Sequence, residues 1–279
     1  MHTFAPCLKF MKKVIYILLP LILLSSCNDF QKAFKSDDIA LKFEKGTELF
    51  DAGEWKKANR LFEQIVPNYR GKPQAEKLLY MHAMSFYKTE KYFISGYQFE
   101  RFASSYPNSE KQEEAAFLSA KSYYYESPIY SKAQEETTKA LEKLQIFINS
   151  FPNSEYLTEA NQLIKELDFK LEKKAFEVAK QYNRIYDYKA SIKSFNNFLL
   201  DFPGSELHKD AMYYRFLASY NLATNSIDAL KEERIQEAVN YYNIFKKNYP
   251  NSEYLKTADD LKKDLETTTS VTVANNTKS

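Results

Sequence analysis

The chain's 279 residues are 44% apolar and 27% charged, with aromatics at 16% (22 Tyr, 21 Phe), enough apolar material for one large domain or a short solenoid. A formal net charge of +2 gives no bulk bias toward nucleic acid or an acidic surface, and only 5 Gly argue against a turn-rich β architecture. The two cysteines, Cys7 and Cys27, sit near the N-terminus, so the folded body has neither a disulfide framework nor a thiolate metal site.

In chain order, Lys12 and Lys13 precede an apolar run from Val14 to Leu24, broken by Pro20 and followed by Ser25, Ser26 and Cys27. The run is short for a bilayer span and has the basic-then-apolar form of an export signal. Leu24 to Cys27, LSSC, resembles the bacterial lipobox, which implies cleavage before the cysteine and lipid attached to it. Residues 1–27 are therefore read as a lipoprotein signal segment starting at Met11, with Cys27 as the lipid-attachment residue. The alternative is an uncleaved anchor with an incidental cysteine. More than one acyl chain on Cys27 would hold the protein on a membrane without a transmembrane helix. Beyond this covalent lipid, no cofactor and no metal is expected. Residues 28–38 read as a tether.

A helix-turn-helix unit then recurs about five times. Its punctuation is YPNSE at Tyr106, FPNSE at Phe151, FPGSE at Phe202 and YPNSE at Tyr249. Proline cannot continue the preceding helix, Asn or Gly turns the chain, and Ser is placed to cap the next helix. Ahead of each proline stand a small residue and two large apolar ones at fixed spacing. They are Ser95, Phe99 and Phe102; Ala140, Leu144 and Phe147; Ser191, Phe195 and Phe198; Ala238, Tyr242 and Phe245. A degenerate first copy has Ala58, Phe62 and Ile65. Such spacing keeps one helical stripe apolar, with a small residue where two helices approach closely.

The pattern resembles helix B of the tetratricopeptide repeat (TPR). The expected fold is thus an all-α TPR solenoid of about five repeats plus a C-terminal capping helix. Repeats one to three occupy residues 39–154. Residues 155–266 hold a long helix around Tyr156–Tyr182, repeats four and five, and the closing helix; a disordered tail is expected at 267–279. Repeats three and five are longer by eight residues, around Glu126–Gln134 and Thr224–Glu232, where solenoid loops often carry contacts.

Nothing in the pattern carries chemistry. His2, His82 and His208 are isolated, carboxylates alternate with lysines as on solvated helix faces, and no phosphate loop or nucleophile motif occurs. An enzyme is not expected. In TPR proteins the A helices line a groove, and the resemblance places Phe43, Phe50, Tyr80, Tyr87, Phe117 and Tyr124 on that wall. Phe176, Arg184 and Arg215 stand in the corresponding region of the second half. The functional reading is an aromatic groove for a peptide, followed by a more basic partner site. The other reading is that these rings pack between helices.

The stretches LFEQIVPNYRGKPQAE (Leu61–Glu76) and KLEKKAFEVAKQYNRIYDYKASIKSFNNFL (Lys170–Leu199), with the lipobox, five repeats, the ESPIYS insert and the closing helix, resemble the BamD family in its Bacteroidota form. These are lipoproteins of the outer-membrane β-barrel assembly (BAM) machinery. The resemblance implies a non-enzymatic scaffold, lipid-anchored on the periplasmic face of the outer membrane, with no nucleic-acid partner. The implied partners are the POTRA region of BamA, other BAM components, and unfolded outer-membrane β-barrel proteins. On this reading the aromatic ladder takes substrate, and Arg184 and Arg215 belong to the BamA-facing half. The alternative class is another periplasmic TPR scaffold. A SusD-like nutrient-uptake lipoprotein would be much longer, and an envelope-constriction coordinator resembling CpoB would carry a coiled coil before its repeats.

Overall fold

The computed structural model describes residues 29–276, so the signal segment and Cys27 lie outside the described residues. A short helix, α1, covers residues 29–35. It is followed by α2 (Ile39–Asp51), α3 (Trp55–Ile65) with a 3-10 turn (Val66–Tyr69), α4 (Ala75–Lys88), α5 (Tyr92–Ser105), α6 (Gln112–Glu126) and α7 (Glu135–Ser150). Then come α8 (Leu157–Arg184), α9 (Tyr188–Asp201), α10 (His208–Thr224), α11 (Asp228–Asn248) and α12 (Leu255–Asn276). The described residues contain no strand. The fold is the expected all-α array of TPR helix pairs.

Helices form two compact units, one running to Pro128 and including Glu135–Ile164, the other comprising Ile129–Gln134 and the chain from Lys165. The division falls inside α8, later than the expected 154/155 boundary. The cause is packing of the start of α8 with the first unit: Ala160 is buried, Tyr156 stacks on Phe117 at 4.6 Å, and Lys121 pairs with Glu159 at 2.5 Å.

Within each unit the repeated stripe is the core. Ala58, Ser95, Ala140, Ser191 and Ala238 are fully buried, and the large residues four and seven positions later are buried with them. Each buried Phe or Leu contributes about 1.5–3 kcal/mol from its removal from water. Close approach is tightest in repeat one, where a Cβ on Gly46 would lie 2.5 Å from the Phe62 ring.

The A-to-B turns repeat one hydrogen-bond closure. In repeat one, Glu54 N donates to Leu49 O (2.8 Å) and Gly53 N to Phe50 O (3.0 Å). Repeats two and four do the same with Lys91 N to Phe86 O and Asp187 N to Tyr182 O, both 3.0 Å. This is a Schellman closure, which requires a left-handed residue after the helix. Gly53 fills that place in repeat one, but Glu90 (φ 59°) and Tyr186 (φ 66°) fill it in the others. A side chain there costs about 1 kcal/mol against the same backbone in glycine.

Four expectations are corrected. The tether is not extended: residues 29–35 are helical, with Phe30 and Ala33 buried against α3 and the Arg60 guanidinium 4.4 Å above the Phe34 ring. Phe30, Ala33 and Phe34 make a short apolar stripe that repeat one covers. The junction serines close a turn ahead of the helix instead of capping its first turn. Ser109 Oγ accepts from Lys111 N, and Ser205 Oγ from Leu207 N, at 3.0 and 3.1 Å. Both hydroxyls also donate 2.6 Å bonds to a carboxylate one repeat earlier, Ser109 to Glu76 and Ser205 to Glu172. The extra length of repeat five mostly extends α11, which starts at Asp228, because DALKEER contains no helix breaker. Finally, α12 continues to Asn276, past the residue 266 limit, since neither Gly nor Pro interrupts it.

Candidate functional site

The six ladder positions come from three A helices, and seven-residue spacing puts each pair on one face of its helix. Depth differs among them. Phe117 is 2% exposed, sandwiched between Phe147 (5.4 Å) and Tyr156 (4.6 Å), so it is core and lines no groove. The other five are half-buried. Phe43 stacks on Tyr69 at 5.3 Å, and Phe50 lies 6.5 Å from Phe62. Tyr80 sits edge-on to Phe99 and Phe102, with the Lys111 ammonium 5.5 Å from its ring. Phe43 and Phe50 thus pack within repeat one, whereas Tyr80 also meets Lys111 of the next repeat.

The structure gathers a tyrosine cluster that the ladder only half anticipated. Tyr87 lies 5.6 Å from Tyr92 and 6.3 Å from Tyr125, and Tyr92 stacks on Tyr125 at 4.4 Å. Tyr124 meets Tyr125 edge-on at 5.5 Å. Burial first, and then Tyr125, push the Tyr87 phenol upward, keeping it neutral. Tyr125 is the exposed member, and sequence reasoning missed it. Its signal was the run Tyr123–Tyr125: consecutive helical residues diverge by about 100°, so three cannot share a buried face. Exposed Phe93, Ile94 and Tyr97 on α5 were missed too. Farther along α5, a groove of about 400 Å³ lined by Glu100, Ala103 and Ser104 runs between α5 and α7 over Ala116, Ser119 and Ala120 of α6, and the Lys143–Glu100 pair (2.7 Å) lies in its lining.

In the second unit the two arginines have different situations. Arg215 is half-buried, its guanidinium 4.3 Å above the Tyr241 ring and Nη1 donating to Asn196 Oδ1 at 2.9 Å. Burial pushes its pKa down, and its Nε has no partner. It thus ties α9, α10 and α11 together. Arg184 ends α8 on the surface, with Nη2 3.5 Å from Glu177 Oε2. Next to it in sequence, Ile185 and Tyr186 are exposed, Tyr186 to 79%. Phe176 is core, edge-on to Phe195 and Phe198.

Neither described histidine joins a cluster. His82 is buried against Phe86, and His208 Nδ1 lies 2.8 Å from the Tyr249 hydroxyl. Among the described residues no group of three or more His, Cys, Asp or Glu could hold a metal, and no helix is long and apolar enough to cross a membrane. The surfaces present rings, aliphatic side chains and paired charges, which suit recognition of another chain.

Comparison with known proteins agrees with the all-α repeat fold. The model of a family described as outer membrane lipoprotein matches residues 36–229, well over half the chain, and a tetratricopeptide-repeat model matches residues 217–252. The chain is similar to the outer membrane protein assembly factor BamD of Caulobacter vibrioides, 23% identical over 149 residues, covering 53% of this chain and 49% of that one. It is also similar to the protein of the same name from Xylella fastidiosa, 22% identical over 232 residues, covering 77% and 79%. The match thus spans about half the length of the first relative and about four fifths of the second.

Proposed function

Since this chain belongs to the outer membrane lipoprotein family, we propose that it is a non-enzymatic scaffold of the outer-membrane β-barrel assembly machinery. The observation that carries this reading is the family match itself, which runs through the repeats of both units. In the proposal Cys27 bears the lipid anchor on the periplasmic face, and the first unit receives unfolded outer-membrane proteins. The tyrosine cluster of Tyr87, Tyr92, Tyr124 and Tyr125 supports that role, because rings packed on one another offer fixed apolar area at low entropic cost. The ladder residues Phe43, Phe50 and Tyr80 contribute through their outward sides, whereas Phe117 supports them from below.

The second unit would dock on the POTRA region of BamA. Arg184 is the contact candidate of the pair, since it stands on the surface beside Ile185 and Tyr186, and Arg215 would act by holding α9, α10 and α11 in place. A membrane pulldown with tagged protein tests the reading, comparing wild type with Arg184→Glu and, separately, Arg215→Gln. Wild type is expected to recover BamA. Arg184→Glu should lose it with helical content unchanged, and Arg215→Gln should lose recovery only as far as the fold loosens. Equal recovery by wild type and Arg184→Glu would remove that contact. Recovery of a nutrient transporter or a septal protein in place of BamA would overturn the assembly role.

A further inference from the structure

We infer that the outward face of α1 rests on the headgroup layer of the membrane that holds the anchor; the inference rests on the Cys27 lipid proposed above. The first described residue, Asp29, already belongs to a docked helix. Phe30 and Ala33 are buried in the core of repeat one, and Arg60 covers Phe34 and Phe30 at 4.4 and 5.5 Å. The link onward is equally fixed. Ser36 N donates to Lys32 O (3.0 Å), Ser36 Oγ accepts from Asp38 N (3.0 Å), and Asp38 Oδ1 accepts from Ala40 N (2.8 Å) at the start of α2. Only Asn28 separates Cys27 from this helix. Two residue steps reach at most about 7 Å. Acyl chains in the hydrocarbon hold their cysteine at headgroup depth, so α1 has no slack with which to leave the surface.

The face available for contact carries Gln31, Lys32 and Lys35, all exposed, with exposed Leu41 on α2. The two lysines are three residues apart and therefore share a side of the helix, where their stems can lie along the interface with the ammonium groups on lipid phosphates. Asp29 and Asp37 are exposed on the same stretch and offset part of this charge. The short spacing, more than charge, holds the face down.

The test uses full-length lipidated protein in vesicles of phosphatidylethanolamine and phosphatidylglycerol doped with a headgroup spin-labelled lipid. A fluorophore on Gln31→Cys reports proximity and leaves Lys32 and Lys35 in place, because the lipid's bond to sulfur leaves Cys27 without a free thiol. The comparison protein carries a twenty-residue Gly-Ser insertion between Asn28 and Asp29, which loosens the spacing to roughly 25 Å. Both proteins should float with the vesicles, and quenching should fall at least about twofold in the lengthened one. Equal quenching in the two, with both floating, would overturn the contact while leaving the anchor intact. Failure of both to float would overturn the anchor reading, and this inference with it.

Discussion

Acidification should destabilise the first unit through His82. Its side chain is 6% exposed in α4, packs against the Phe86 ring at 4.8 Å, and has no hydrogen-bond partner on either ring nitrogen. Burial pushes the imidazole down from its ordinary 6.5 to about 4. A depressed folded pKa means that the unfolded chain takes up the proton first. The stability at stake is therefore complete above pH 6.5, drains as pH falls, and is gone below about pH 4. At 1.36 kcal/mol per pKa unit, the shift corresponds to about 3 kcal/mol, most of it lost by pH 4.5. The assay is urea denaturation followed by Trp55, the chain's single tryptophan, which lies in α3 of the same unit. His82→Met fills the site without a titrating group. Other carboxylates and amines affect both proteins alike, so the informative quantity is the stability difference between wild type and variant at pH 7.5 and at pH 4.5. It should move in favour of the variant by about 2–3 kcal/mol on acidification. Parallel pH curves for the two proteins would refute the reasoning.

Four further outcomes are expected. Gly46→Ala should destabilise the first unit by about 1–3 kcal/mol through the 2.5 Å approach to Phe62, and Phe62→Leu in the same chain should recover part of that loss in urea melts. Removing the Ser109–Glu76 bond by Ser109→Ala or Glu76→Leu should cost about 1 kcal/mol each, and the double mutant should cost less than the sum of the two, as read by a double-mutant cycle. Phe117→Ala should cost about 3–5 kcal/mol and lower helicity on heating, whereas Tyr125→Ala should cost only about 0.5–1.5 kcal/mol through its lost ring contacts and weaken capture of an aromatic-rich peptide. Tyr186→Gly should raise stability by about 0.5–1 kcal/mol by relieving its left-handed backbone; an unchanged or lower midpoint would refute the strain.

The repeated stripe was legible because spacing alone specifies a helical face, and every copy of it is buried. What spacing does not specify is depth on that face. Phe117 and Tyr124 are two turns apart on one helix, yet the first is sealed under Tyr156 and the second is half-open. The covering ring comes from the next repeat, and no pattern within α6 announces it. Residues 29–35 misled for a different reason: Phe30, Ala33 and Phe34 carry a helical signal over barely two turns, too short to count until α3 supplies the other half of the contact. The junction serines were read by analogy with a cap, but their second bond, to Glu76 or Glu172, joins residues a full repeat apart. Arg184 and Arg215 looked equivalent as basic residues in the second half. Only the Tyr241 ring and Asn196 separate the half-buried one from the surface one.

The three Schellman turns differ in what occupies the left-handed place, and that difference bears on selection. Gly53 shows that this chain can supply glycine there, and the backbone closure at Tyr186 is the same. A sequence shaped by folding alone would have drifted toward glycine at 186, where the ring is 79% exposed and lies near Tyr188. A strained backbone beneath a large exposed aromatic marks a position that folding does not explain. Variation there should track the identity of a binding partner more closely than the thermal demands on the protein, and the α8–α9 turn is where a change of partner would first be written into this fold.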